Sequence, residues 1–357
     1  MQQRDYLVVG GGAMGLATAW WLTRQGREVT VLEQFGRHHE QGSSHGGTRI
    51  FRLAYTDPDF VKLAQAALPL WRELEDEAQV RLLDLIGAVD HGPAAAIAPL
   101  ISTMDSCGVT SEVLTSDEAA LRWPGMRFDD VAVFHPGGGR IYARTTLDAF
   151  EQGACSRGAD IRYDEPVESI GPSPRGLVVR TPLEEYEAGT VIVTAGAWVS
   201  KLLEGVIELP PLKITQEQTL HFRSLDPFEF WPPFIHRLIP EMYGVETPGE
   251  GVKVAEHGTG QVVDPDDRDF MVDPFAAERV CEYVRNWFPG LDPNPVTSAT
   301  CLYTSTADAN FILDKRGPLV VASPCSGHGF KFSPIIGKLV ATLATDEAWP
   351  PLRFRLR

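Results

Sequence analysis

Two rhythms of apolar and polar positions run along this chain. Tyr6 to Val9 is a short β-branched and apolar run that leads straight into Gly10-Gly11-Gly12-Ala13-Met14-Gly15, after which Ala13, Leu16, Ala17, Trp20 and Trp21 recur at i, i+3, i+4, i+7 and i+8. The run predicts a buried parallel strand, and the recurrence predicts a helix with one apolar stripe that Gly26 closes. A second strand follows at Val29 to Leu32 and ends in Glu33. The pattern then predicts a helix over Pro58 to Ala78, short strands such as Leu82 to Val89, a helix capped at Thr115 or Ser116, and a helix over Thr145 to Ser156. Strand Asp160 to Tyr163 precedes a meander, Gly176 to Arg180 and Glu185 to Ala188, and a separate apolar strand at Thr190 to Thr194. Past Pro210-Pro211, alternating stretches at Leu212 to Phe222, Met242 to Val245 and Gly251 to His257 read as a mostly antiparallel sheet forming its own layer. The opening style returns at the end, with strand Leu319 to Ala322 and a helix for which Ser333 is the expected cap, Pro334 the first turn, and Ile335, Ile336, Leu339, Val340 and Leu343 the apolar stripe.

The glycines after the first strand carry the first chemical signal. Gly10 permits a sharp turn, Gly12 lets backbone N–H groups approach a pyrophosphate at the helix N-terminus, and Gly15 lets helix and strand lie close. Glu33 suits ribose hydroxyls and repels a 2′-phosphate, which points to FAD or NAD rather than NADP. Ala195-Gly196-Ala197-Trp198, following the second apolar strand, is a small-residue turn where backbone can lie against a cofactor.

Composition narrows the partners. A chain of 357 residues predicts about two domains, and a formal charge of -16 argues against nucleic acid or an anionic membrane. The sequence has neither a leader pattern nor an apolar run long enough to span a bilayer, and its five cysteines lack any C-x-x-C, so a cytoplasmic protein with free thiols is expected. His38, His39 and His45 lack metal-ligand spacing and read as solvated loop histidines, so no metal is expected. Gly42-Ser43-Ser44-His45-Gly46 fits G-x-S-x-G but lacks the flanking strand and helix of a nucleophile elbow. Arg49 and Arg52 stand among Ile50, Phe51 and Leu53, a packed setting in which arginines need anions.

Six stretches, GGGAMG with Glu33, SSHGGTRIFR at Ser43 to Arg52, VIVTAGAW at Val191 to Trp198, GVKVAEH at Gly251 to His257, TCLYT at Thr300 to Thr304 and SGHGFKFSP at Ser326 to Pro334, follow one another in an order that resembles the monomeric sarcosine oxidase and N-methyltryptophan oxidase family, within the D-amino-acid-oxidase-like flavoenzymes. The resemblance implies an α/β FAD-binding Rossmann-like domain, from 1–80, 140–209 and 300–357, and an α+β substrate domain with a mainly antiparallel sheet, from 81–139 and 210–299. It implies FAD bound covalently through Cys301, with Cys325 the rival thiol. The implied cofactor contacts are Gly10, Gly12, Ala13, Met14, Gly15, Glu33, Ser43, Ser44, Arg49, Val167, Ala195, Gly196, Trp198, Gly327, Gly329 and Lys331.

By the same resemblance Arg52 and Lys331 hold the substrate carboxylate, Lys253 is where dioxygen is activated, and Arg49, Tyr243, His257 and Tyr303 complete the pocket. The implied reaction oxidises the secondary amine of an α-amino acid to an imine that hydrolyses, while dioxygen becomes hydrogen peroxide, and the implied enzyme is a monomer. Phe234 to Met242 departs from the family pattern, with His236 and Arg237 where a glycine-containing turn belongs, and TADANF after Tyr303 matches in part. Sarcosine, another N-methyl amino acid, or a cyclic imino acid such as pipecolate or proline all remain open. The first thirty-three residues alone equally suit an NAD-dependent dehydrogenase of a small amino or hydroxy acid, or a non-catalytic dinucleotide-binding protein.

Overall fold

The computed structural model describes residues 2–225, 231–347 and 352–356. Its first sheet grows from the opening strand, which runs over Gln2–Val9 and pairs in parallel with Val29–Leu32 on one side and Glu185–Val193 on the other. Strands Asp160–Arg162 and Leu319–Ser323 extend the parallel core outward, and an antiparallel meander of Ser169–Ser173 and Gly176–Arg180 covers one flank. The expected meander strand and the apolar strand after it are therefore one element, because Gly189 keeps the extended backbone and the ladder continues through it.

Helix Ala13–Arg24 is buried on nearly its whole circumference, a consequence of packing against the sheet, against helix Ala143–Cys155 and against the C-terminal helix Ser333–Ala344. Close approach is built in: a Cβ on Gly337 would stand 2.6 Å from the backbone of Ala17. The helix stops at Arg24, and Gly26 follows with φ of +73°, as its C-terminal position requires. Ser333 corrects the expected cap. The backbone is already helical from a 3₁₀ turn at Phe330–Phe332, so Ser333 is the first helical residue and its buried hydroxyl has no hydrogen-bond partner.

The second sheet is antiparallel apart from one pairing, Phe234–His236 alongside Ala88–Gly92. Near one edge Lys213–Ser224 pairs with Gly251–Glu256 on one side and with the long strand Leu291–Ser305 on the other. Its outer face packs on helix Pro274–Trp287. The expected strand Leu82 to Val89 breaks in two at Gly87, with Leu83–Asp84 joining a small third sheet that also holds Thr48–Phe51 and Gly139–Tyr142. Thr115 does cap its helix, in a capping box with Glu118. Helix Ala94–Ser106 had no counterpart in the sequence reading, although Ile97, Leu100 and Met104 mark its buried side. Among the described residues no helix is long and apolar enough to cross a membrane.

Candidate active site

One cavity of about 880 Å³ runs from the glycine turn of the first sheet to the inner face of the second. At the nucleotide end Gly10 has φ of +104°, and a Cβ there would stand 2.6 Å from the Thr194 carbonyl. Gly15 does not line the cavity. A Cβ on it would fall 1.8 Å from the Gly10 carbonyl, so its hydrogen is what lets the helix begin against the turn. Gly12 stands at the N-cap position and offers no side-chain acceptor, and the first turn carries no acid, so the positive end of the helix faces the cavity. Glu33 closes the far side, accepting from the Gly11 and Phe35 amides at 2.7 and 3.0 Å. Ala195, Gly196, Trp198 and Val167 line the same end, the Trp198 indole donating to Asp266 at 2.6 Å.

The loop after Phe35 folds over this cavity. Ser44 accepts from the Ala13 amide at 3.1 Å, and Ser43 donates to the Leu302 carbonyl at 2.5 Å, which ties the loop to both sheets. The tie overturns one expectation. His45 is largely enclosed: it lines the cavity, and burial next to Arg49 holds its pKa down to about 4. Arg49 spends its guanidinium on the carbonyls of Thr48, Ser43 and His45 at 2.9, 2.9 and 2.6 Å. Arg52 donates to the Ala54 carbonyl and lies 4.2 Å from the centre of the Tyr55 ring.

The antiparallel sheet supplies the roof, and strand alternation decides which side chains reach it. Tyr243 and Val245 point inward from one strand, with Val245 opposite Lys253 on the next. Cys301 and Tyr303 do the same from Leu291–Ser305. Tyr303 Oη sits 3.5 Å from both Tyr243 Oη and His257 Nδ1. Burial pushes both phenols up and the His257 imidazole down, so all three are uncharged hydrogen-bonding groups near neutral pH. Lys253 is buried, and desolvation with the nearby Arg49 charge brings its pKa to about 7. Lys331 is buried as well and held well below its ordinary value by burial and by Arg52; its Nζ donates to the His328 carbonyl at 2.7 Å. Among the described residues neither Arg52 nor Lys331 has a carboxylate partner. A pair of cations left this way in one cavity is a site for an anion.

Cys301 and Cys325 both line the cavity and both are free thiols, pushed up by burial. They differ in their surroundings: Arg49, Lys253 and Arg268 pull Cys301 back down against Glu217, whereas hydrogen bonds around Thr304 pull Cys325 down. Gly327, Gly329, Met14 and Ala13 complete the wall.

Two clusters elsewhere bring histidine and acid within ligand distance, His91 with Asp129 and His236, and His38 with Asp148 and Glu151. In the first, the two imidazoles stack at 3.9 Å with 27° between their planes, so their in-plane lone pairs run side by side instead of converging on one ion. In the second, Arg37 already bonds both carboxylates at 2.6 and 2.8 Å.

The sequence reading missed several groups at this site. The Thr48 carbonyl receives Lys253, His328 packs over Tyr55 and Phe311, and Glu241 lines the roof beyond Tyr243. Only Glu241 had a signal in the sequence, being two residues before Tyr243 on the same face of an extended segment.

The cavity fits FAD on its own evidence. The glycine cradle excludes any side chain where a pyrophosphate would approach, Glu33 is anchored at the ribose position, and the remaining length reaches the cations and the two thiols. Residues 5–343 match the family of FAD dependent oxidoreductases. The chain is 33% identical to a monomeric sarcosine oxidase of Bacillus sp. (strain B-0618), over 95% of this chain and 92% of that one, and 28% identical to an N-methyl-L-tryptophan oxidase of Salmonella agona, over 96% and 95%. Its structure superposes with a TM-score of 0.91 on NikD, an unusual amino acid oxidase essential for nikkomycin biosynthesis, at 29% identity and 99% and 98% coverage. The match through both sheets goes beyond what the opening thirty-three residues share with nicotinamide-dependent dehydrogenases: this chain is an enzyme and belongs to the FAD dependent oxidoreductase family.

Proposed function

We propose that the enzyme oxidises the secondary amine of an N-methyl or cyclic α-amino acid, sarcosine-like, N-methylated, or pipecolate- or proline-like, to an imine that hydrolyses, with dioxygen reduced to hydrogen peroxide. The observation that carries this reading is the pair Arg52 and Lys331, two cations without a carboxylate partner among the described residues, facing the cavity beside Tyr243, His257 and Tyr303. An amino-acid carboxylate satisfies both, and a zwitterion held there presents its amine to the neutral imidazole and phenols. FAD, when bound, accepts the hydride equivalents from the substrate and passes them to dioxygen.

Position supports the remaining roles. Gly10, Gly12 and the amides of Ala13 and Met14 take the pyrophosphate, Glu33 the ribose, and Ser43, Ser44, Val167, Ala195, Gly196, Trp198, Gly327 and Gly329 shape the cofactor's bed. Lys253 supplies the positive charge where dioxygen gains electrons, and Arg49 holds the loop beside it. Cys301 would be the thiol that holds the flavin covalently, a choice supported by the three cations that act on it against the single opposing charge of Glu217. The cofactor domain comprises 1–80, 140–209 and 300–357 and the substrate domain 81–139 and 210–299, a division supported by which of the two large sheets the strands of each stretch join, although Leu291–Ser305 runs through the last boundary and the small third sheet links Thr48–Phe51 and Gly139–Tyr142 to Leu83–Asp84. A single-chain enzyme of the cytoplasm is part of the same reading, supported by five free thiols. Peroxide release from a panel of sarcosine, N-methyl-L-tryptophan, L-proline and L-pipecolate tests it: turnover of a secondary amine well above that of the matching primary amine is expected, and turnover of primary amines alone would refute it.

A further inference from the structure

The roof does not end at Tyr243. The His257 amide donates to the Glu241 carbonyl at 2.9 Å, which continues the ladder between the two roof strands by one step and keeps Glu241 on the face of Tyr243 and Val245. Glu241 lines the cavity. Behind it lies Arg237, whose Nη1 donates to Glu241 Oε1 at 2.5 Å and whose Nε donates to Asp90 Oδ1 at 3.1 Å, with Nη2 on the same Asp90 oxygen. Asp90 is fully buried, and its Oδ2 has no hydrogen-bond partner among the described residues.

Charge and donor counts decide what this group can bind. Two carboxylates share one guanidinium, so the cluster carries a net charge of about -1 with all three ionised. The guanidinium is already engaged on both sides, and no fork is left to grip an incoming carboxylate. Glu241 retains acceptor capacity, since Arg237 takes one position of the roughly four its two oxygens offer. The cluster also adjoins the carboxylate-binding cations: His257 feels the charges of Glu241, Arg52, Lys331 and Arg237, and Tyr55 those of Arg52, Arg237, Asp90 and Glu241. One cavity therefore holds two cations and an acceptor carboxylate, all within electrostatic reach of His257.

We propose that Glu241, held by Arg237 against Asp90, is a specificity-determining residue that receives a hydrogen-bond donor or positive charge on the substrate side chain and rejects an acidic one. The inference deepens the proposed amino-acid oxidation and rests on that reading. The preferred substrates are then secondary α-amino acids carrying an amine, amide, hydroxyl or indole N–H, and glutamate-like side chains are excluded by repulsion.

Binding and turnover separate the two ideas. The holoenzyme is titrated with pentanoate, 5-aminopentanoate and glutarate, with 4-aminobutanoate and 6-aminohexanoate to vary reach, and occupancy is read as perturbation of the flavin absorbance. At least one ω-amino acid should bind roughly ten- to a hundredfold tighter than pentanoate, with glutarate weakest, and Glu241→Gln should bring that ratio close to one. Glutarate binding as tightly as every ω-amino acid in the wild-type protein would overturn the inference without needing any variant, as would an unchanged ratio in a folded Glu241→Gln. Absence of secondary-amine turnover would count against the proposed reaction alone, because the titration reads no chemistry.

Discussion

Lys253 reaches across from the antiparallel roof to donate to the Thr48 carbonyl at 2.5 Å, so one ammonium joins the substrate-side sheet to the strand that carries Arg49 and Arg52. Both partners are buried, and the lysine sits at the meeting of the two halves of the site.

That position predicts a selective kinetic defect. Electron transfer to neutral dioxygen creates negative charge, and an ammonium about 4 Å away at an effective dielectric near 20 is worth roughly 4 kcal/mol, on the order of a thousandfold in rate. Lys253→Met should leave anaerobic reduction by substrate comparatively fast while reoxidation collapses, which stopped-flow absorbance resolves. Reoxidation at the wild-type rate would remove Lys253 from this role.

The same lysine predicts a pH dependence. In the proposed role its charged form is the active one, and burial with Arg49 lowers its pKa from 10.5 to about 7. A bound anionic cofactor raises it again. The reoxidation rate should therefore be highest at low pH and fall as pH climbs through a midpoint between about 7 and 10.5. Loss of that limb in Lys253→Met assigns it, and persistence of the limb in the variant would assign it to another group.

Cys301→Ser should yield protein whose flavin leaves with the supernatant on acid precipitation, while Cys325→Ser keeps its colour in the pellet. The two thiols share a cavity and differ in the cations around them, three for Cys301. Acid-stable flavin in Cys301→Ser contradicts the assignment.

Arg52→Ala should weaken binding of a carboxylate inhibitor by tens to thousands of fold, about 2–5 kcal/mol, because Lys331 is left as the lone charged partner of the anion. The flavin spectrum should change little by comparison. Unaltered inhibitor affinity in the variant would separate Arg52 from the carboxylate.

Gly15→Ala places a methyl group 1.8 Å from the Gly10 carbonyl, so the helix must move off the turn that receives the pyrophosphate. Overpacking of this kind costs about 1–3 kcal/mol, and it acts here on the cofactor site itself. A lowered melting temperature with reduced flavin content is expected, and a variant with full flavin content and unchanged melting would show that the turn tolerates the shift.

The nucleotide half was legible because its signals are local. Strand, glycine turn, helix and terminal acid follow one another within thirty-three residues, and each glycine has a steric reason that the structure shows at Gly10 and Gly15. From the residues alone the roof was legible only as alternation, which placed Tyr243 and Lys253 on strands without saying that they share a face; the family resemblance is what gathered them into one pocket. Ser333 misled because a serine before a proline is a fair cap signal, and nothing local announces that a 3₁₀ turn has already started the helix. His45 looked like a solvated loop residue because the loop's burial comes from contacts with Leu302 and Ala13, distant in sequence. The Asp90, Arg237 and Glu241 cluster was invisible for the same reason, since Asp90 and Arg237 stand 147 positions apart.

Anaerobic addition of a secondary amino acid to the purified enzyme, followed by readmission of a measured amount of dioxygen, bears most directly on the proposed reaction. The flavin absorbance near its visible maximum should bleach with sarcosine, an N-methyl amino acid, or a cyclic imino acid, and return on oxygenation with one hydrogen peroxide per imine-derived product. A flavin that stays oxidised across the whole panel, or that bleaches and yields no peroxide when oxygen returns, would contradict the account.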